Sequence, residues 1–235
     1  MTGMLASVTN LAEARQVQEI GVDIIDLKNP AEGALGALAV AEVSRIVSRL
    51  GGDRPVSATV GDLPMEPSIV LPAVEAMAAT GVDYVKIGFL PGGDWAGVIR
   101  SLQPLARRNV RLIAVMFGDE SPDLHWLGEL AAAGFAGAML DTRDKKKGSL
   151  RQSCSNDFLR TFVSETHSHG LLCGLAGSLR ATDIAPLLEL KPDYLGFRGA
   201  LCGGNRVDAL DLDAVRAISN LVSGERGNAS PRTAA

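Results

Sequence analysis

At 235 residues, 46% of them hydrophobic, the chain can bury one large core, as a single α/β barrel or as two small domains. Its formal net charge of −4 and pI of about 5.4 exclude a general attraction to nucleic acid or to an anionic membrane, which leaves a small-molecule partner. Cys154, Cys173 and Cys202 are widely spaced and form no CxxC or Cys/His pattern, so neither a disulfide framework nor a structural zinc site is indicated.

Residues 4–7 read as a first strand, after which Asn10 caps a helix that Gly21 stops. Strands follow at residues 24–27, 56–60, 84–87, 112–117, 137–140, 171–175 and 194–197. Apolar positions at helical spacing mark 39–50, 69–80, 124–133, 158–169 and 212–222. This alternation predicts one closed (β/α)8 barrel over residues 1–223. An open doubly wound sheet is the alternative, but Ser7-Val8-Thr9-Asn10 follows the first strand where that fold carries Gly-x-Gly-x-x-Gly. Residues 224–235 are polar and aperiodic and are expected to form a tail without chemistry.

A weak repeat runs through the chain. Gly21-Val22-Asp23, Gly81-Val82-Asp83, Gly134-Phe135-Ala136 and Lys191-Pro192-Asp193 each close a helix and open an even-numbered strand. Because positions two apart in a strand share a face, aligning the units puts Asp26, Lys86, Met139 and Gly196 in one layer. Lys28, Gly88, Asp141 and Arg198 form the next. The intervening Leu27, Ile87, Leu140 and Phe197 suit the helix-facing side, so the charged residues face the barrel interior near its C-terminal mouth.

Asp26, Lys28, Lys86 and Asp141 could form a solvated ion-pair network, but strand ends at that mouth are where barrels carry out catalysis. An ordinary lysine, with a pKa near 10.4, is neutral at pH 7 in only about one molecule in a few thousand. A second ammonium and partial desolvation both lower that pKa, so Lys28 and Lys86 suit a carbonyl-attacking amine with a proton-transferring neighbour. Spacing does not say which is which.

The loop after the sixth strand carries Lys145, Lys146 and Lys147, either as a solvated basic segment or as a closure over an anionic substrate. Gly177-Ser178 and Arg198-Gly199 follow the seventh and eighth strands, where barrels hold phosphate on backbone N–H groups. Glycine for tight turns is the plain alternative, but it leaves Arg198 unexplained. Ser57 and Thr59 offer inward hydroxyls. His125, His167 and His169 fall on helices, none is read as catalytic, and no metal cluster is visible in the sequence.

Six motifs in order now stand together: Asp26-Leu27-Lys28-Asn29-Pro30, Val56-Ser57-Ala58-Thr59-Val60-Gly61-Asp62, Val85-Lys86-Ile87-Gly88, Met139-Leu140-Asp141-Thr142, Leu175-Ala176-Gly177-Ser178 and Arg198-Gly199-Ala200. With them the chain resembles the (5-formylfuran-3-yl)methyl phosphate synthases, the furan-forming enzymes of methanofuran biosynthesis. The resemblance implies a TIM barrel that condenses two glyceraldehyde 3-phosphates into 4-(hydroxymethyl)-2-furancarboxaldehyde phosphate, losing one phosphate and two waters, with no cofactor. It puts the Schiff base on Lys28 and the proton acceptor on Lys86, with Asp26, Asp141 and a loop lysine as further contributors. That loop lysine is best matched by Lys145, with Lys146 as the alternative. Residues 94–117 depart most from the family.

A Schiff-base aldolase or sugar-phosphate isomerase on the same barrel is the rival within enzymes, and a non-catalytic phosphate-metabolite sensor the rival outside them. No run approaches the roughly 20 apolar residues of a membrane span, and no basic-then-apolar leader opens the chain, so a cytoplasmic location is expected. Barrels of this size often self-associate, which makes a homo-oligomer the expectation.

Overall fold

Asn10 caps the first helix, as its position predicts: its side chain accepts from the Glu13 N–H, and Gly21, at φ +90°, ends that helix in the left-handed region. The computed structural model describes residues 1–224. Its first half runs β1 (Gly3–Val8), α1 (Leu11–Ile20), β2 (Ile24–Leu27), α2 (Val40–Leu50), β3 (Val56–Thr59), α3 (Pro67–Ala78), β4 (Tyr84–Phe89) and α4 (Trp95–Ala106). The second half runs β5 (Leu112–Phe117), α5 (Trp126–Ala133), β6 (Gly137–Asp141), α6 (Leu150–Ser153), α7 (Asn156–Ser168), β7 (Leu172–Leu175), α8 (Ala181–Leu188), β8 (Tyr194–Phe197) and α9 (Leu212–Ser223). Neighbouring strands pair in parallel in chain order, and β8 pairs with β1 to close the barrel.

Strand alternation sorts the core into two shells. Leu27, Ile87, Leu140 and Phe197 are buried against the helices, the side their spacing predicts. Inside the barrel, Leu5, Ile113, Val115, Met139 and Tyr194 pack together, and Ala34 and Leu35 from the loop after β2 join them from above. Each such Leu, Ile, Val or Met side chain stabilises the fold by roughly 1.5–3 kcal/mol relative to exposure. The barrel is thus apolar below, around a hollow of about 150 Å³, and polar at its C-terminal end.

The repeat has a structural role at the opposite, N-terminal end. The Asp23, Asp83 and Asp193 backbone N–H groups donate to the carbonyls of Met4, Val56 and Cys173 at 3.1, 2.8 and 2.8 Å. Their carboxylates accept from the N–H of those same residues at 2.7, 2.8 and 2.7 Å. Each aspartate therefore clamps an even strand to the odd strand before it. In the fourth unit Ala136 keeps only the backbone half, donating to Leu112 O at 2.9 Å.

Helices α4 and α8 are not marked by helical spacing. Both contain an internal proline, Pro104 and Pro186, which removes a backbone donor, although α3 accommodates Pro72 and is marked. Helix α3 starts at Pro67 rather than at 69, since proline's fixed φ suits the first turn. Helix α7 starts at Asn156 rather than at 158, where the Ser155 side chain accepts from the Phe158 N–H. Gly224, at φ +68°, ends α9, and residues 225–235 of the expected tail lie outside the described residues. No described helix is long and apolar enough to cross a membrane.

Candidate active site

Register brings the charged residues together. Ser7 on β1 and Ser57 on β3 stand opposite Asp26 on β2. Their hydroxyls donate to its two carboxylate oxygens at 2.8 and 2.7 Å. Lys86 on β4 reaches the same carboxylate, with Nζ 2.6 Å from Oδ1 and both side chains fully enclosed. Burial pushes the Asp26 carboxyl up, but Lys86, then Lys28 and the hydrogen bonds outweigh it and hold the group below its ordinary range. The result is an interior carboxylate whose partners are all in place.

Lys28 sits just beyond β2, where its N–H continues the ladder by donating to Val8 O at 3.1 Å. Its side chain is buried. Burial lowers its pKa, and although Asp141 and Asp26 push the other way, the neighbouring Lys86 and Lys145 cations add to the lowering, which brings it to about 8. Of the two interior lysines, Lys86 has a carboxylate in direct contact and Lys28, among the described residues, does not.

Asp141 ends β6, accepts from the Thr142 N–H at 2.7 Å and pairs with Lys145, which folds back from the following loop. Burial raises the Asp141 carboxyl, but Lys145, Lys28 and the two hydrogen bonds bring it below its ordinary value. Lys146 lies on the cavity wall, and Lys147 is exposed. Sequence reading missed what shapes this loop: Asp119, after β5, accepts from the Arg143 and Asp144 N–H groups at 2.7 and 2.9 Å. Nothing local to the sequence joins positions so far apart.

These groups open on a cavity of about 600 Å³ at the C-terminal mouth, whose wall also includes Gly177, Ser178 and Gly199. Gly177 has φ +108° and Ser178 φ +47°, and the turn is tied down by the Leu150 N–H donating to Gly177 O at 2.8 Å. A Cβ at Gly177 would stand 2.8 Å from the Thr142 nitrogen, so the close approach of two loops requires glycine there.

Arg198, expected beside a phosphate, is engaged by the protein itself. Its Nη1 donates to Glu13 Oε2 at 2.6 Å and Ser7 O at 3.2 Å, and its Nη2 to Glu13 Oε1 at 3.3 Å and Asp208 O at 2.7 Å. Its Nε donates to Arg206 O at 2.8 Å. A guanidinium has five N–H groups, and all are donated to protein acceptors, so Arg198 shapes the cavity wall. Glu13 is buried with it and also accepts from the Thr9 N–H and hydroxyl at 2.9 and 3.0 Å.

Ser57 and Thr59 face inward, yet their hydroxyls donate to Asp26 and to Gly36 O rather than into the cavity. The three histidines are exposed and away from this site. Another hollow of about 390 Å³ lies past the ends of β4 and β5, lined by Phe89, Trp95 and Trp126 with Asp94, Glu120 and Asp123, and has no lysine in its wall.

The chain matches, over residues 4–219, the profile of the family described as 4-HFC-P synthase. It is 37% identical to the (5-formylfuran-3-yl)methyl phosphate synthase of Methanopyrus kandleri, over 94% of this chain and 98% of that one. It is 33% identical to the protein of the same name from Methanocaldococcus jannaschii, over 93% and 98%. A Methylorubrum extorquens protein given this name provisionally is 40% identical over 97% of this chain and 94% of its own. Among solved structures, 3-keto-L-gulonate-6-phosphate decarboxylase from Vibrio cholerae superimposes with a TM-score of 0.68 at 15% identity, covering 95% of this chain and 98% of that one. Phosphoribosyl anthranilate isomerase from Thermus thermophilus does so with 0.66 at 17%, covering 96% and 100%. At that identity the likeness is one of fold.

Proposed function

The chain belongs to the 4-HFC-P synthase family, and from that premise we propose that it condenses two glyceraldehyde 3-phosphates into (5-formylfuran-3-yl)methyl phosphate through an imine on Lys28. The observation that carries the assignment of roles is the contrast between the two buried lysines. Lys28 has its pKa brought down to about 8, and Lys86 is paired to Asp26 at 2.6 Å. A carbonyl needs a neutral amine, and Lys28 supplies it; an ammonium seated on a carboxylate is a proton donor first.

Lys28 adds to the aldehyde of one triose phosphate. Lys86 passes its proton to the departing carbinolamine hydroxyl, and water leaves. The protonated imine then acidifies the adjacent carbon, and Lys86, now neutral, takes that proton and gives an enamine. The enamine can add to the aldehyde of the second triose or expel the phosphate on its own third carbon, and both bonds must change to reach the furan. Asp26 steadies Lys86 through each charge change, and Asp141 with Lys145 relays protons in the dehydrations. Two trioses in, one phosphate and two waters out, balance the product. The turn at Gly177 and Ser178, with the Gly199 backbone, holds a phosphate.

The test is to incubate the protein with glyceraldehyde 3-phosphate, add borohydride to half, and analyse products and peptides by mass spectrometry. Furan aldehyde phosphate in the untreated half and a reduced adduct on Lys28 in the other are expected. An adduct without furan would replace this reading by an aldolase or isomerase, and neither product by a phosphate-metabolite sensor.

A further inference from the structure

We propose that Arg206 grips the phosphate of the second triose, at a separate place from the Gly177 turn. The inference rests on the two-triose reading above and adds where the second anion sits. Arg206 lies on the loop after β8, in the wall of the same cavity. Its Nη2 donates to Gly33 O at 2.8 Å, so the side chain reaches across to the loop after β2. The Gly177 turn, by contrast, packs on the loop after β6, against Leu150. One cavity therefore has an anion-binding element on each of two sides.

The loop that carries Arg206 is built to hold it. Arg198 donates to the Arg206 carbonyl at 2.8 Å and to the Asp208 carbonyl at 2.7 Å, and is itself fixed by the buried Glu13. Asn205 and Asp208 close the turn between them, side chain to side chain at 3.0 Å. All of Arg198's donors are spent on this frame, whereas the bond to Gly33 is the only hydrogen bond that the Arg206 guanidinium donates among the described residues. The other four of its five N–H groups are available to a ligand, in the fork geometry that suits phosphate oxygens.

Charge counting points the same way. Lys28, Lys86, Lys145, Lys146, Arg180 and Arg206 line the wall against Asp26 and Asp141, with Arg198 cancelled by Glu13. That is an excess of four positive charges, in a protein whose formal net charge is −4. A phosphate monoester carries about −1.5 to −2 at neutral pH, so the cavity is matched to two such groups and overcharged for one.

The experiment compares wild type, Arg206→Gln and Arg206→Lys in three readouts: inorganic phosphate binding by calorimetry, furan formation against glyceraldehyde 3-phosphate concentration, and borohydride trapping on Lys28. Arg206→Gln should bind one phosphate fewer than wild type and need about 10- to 100-fold more substrate for half-maximal furan formation. Its Lys28 adduct should form as in wild type, because the imine needs only the first triose. Arg206→Lys should recover part of the loss, since it keeps the charge and loses the fork. Equal phosphate stoichiometry in wild type and Arg206→Gln, or an unchanged half-saturating concentration, would overturn the proposal. Loss of a phosphate site in a protein whose wild type makes no furan would uphold the grip and sink the synthase reading instead.

Discussion

Imine formation on Lys28 should follow a titration centred near 8, where burial and neighbouring cations place that amine, rather than near its ordinary 10.5. At pH 7 a group of pKa 8 is about 10% neutral, whereas one of 10.5 is about 0.03% neutral, so the site supplies roughly 300-fold more nucleophile. Asp141 is the strongest of the charges that hold the proton on Lys28. Asp141→Asn removes it and leaves the Lys145 cation unopposed, so Lys28 moves further down. The variant's profile should therefore move below pH 8. The assay is the initial rate of adduct formation with glyceraldehyde 3-phosphate between pH 6 and 10, each aliquot quenched with borohydride at one fixed pH and the adduct located by peptide mass spectrometry. A midpoint near 10, a shift upward in Asp141→Asn, or an adduct on Lys86 would refute the reasoning.

Three further outcomes are expected. Asp26→Asn leaves the buried Lys86 ammonium without its counter-charge and should cost about 3–5 kcal/mol in urea unfolding, much of it regained when Lys86→Met is added. Arg198→Ala strands the buried Glu13 and should also cost about 3–5 kcal/mol, while Arg206→Gln should leave the unfolding midpoint nearly unchanged. The reverse order would mean that Arg206, not the Arg198–Glu13 pair, holds this loop in place. Gly177→Ala combines a φ of +108° with a Cβ pressed on the Thr142 nitrogen and should cost at least about 1–3 kcal/mol, read as a lower thermal midpoint.

The fold was legible because strand periodicity is short-ranged. β2, β5 and β8 begin and end where their apolar runs do, and the alternation alone placed Asp26, Lys86 and Asp141 inside and Leu27, Ile87 and Leu140 outside. The six motifs that suggested the family lie on or just after β2, β3, β4, β6, β7 and β8, and the family match over residues 4–219 bears that reading out. What stayed hidden depends on distant partners. Arg198 looks like a ligand beside a glycine turn until Glu13, 185 positions away, is seen to claim it. Arg206 sits in an unremarkable polar stretch, and only the closure of β8 against β1 brings it to Gly33 on the loop after β2. Asp119 likewise meets its loop only because β5 and β6 are neighbours.

The aspartate clamps at the N-terminal end make β1 with β2, β3 with β4 and β7 with β8 self-registering pairs: each sets its own alignment by a hydrogen bond in each direction, independent of what its upper end carries. A one-residue slip would turn Asp26 or Lys86 toward the helices, so the geometry of the candidate site at one end is indexed by carboxylates at the other. Alignment and chemistry are thereby written in different residues. Such a scaffold can be recut at its mouth for another substrate, by variation or by design, without renegotiating which residues face inward.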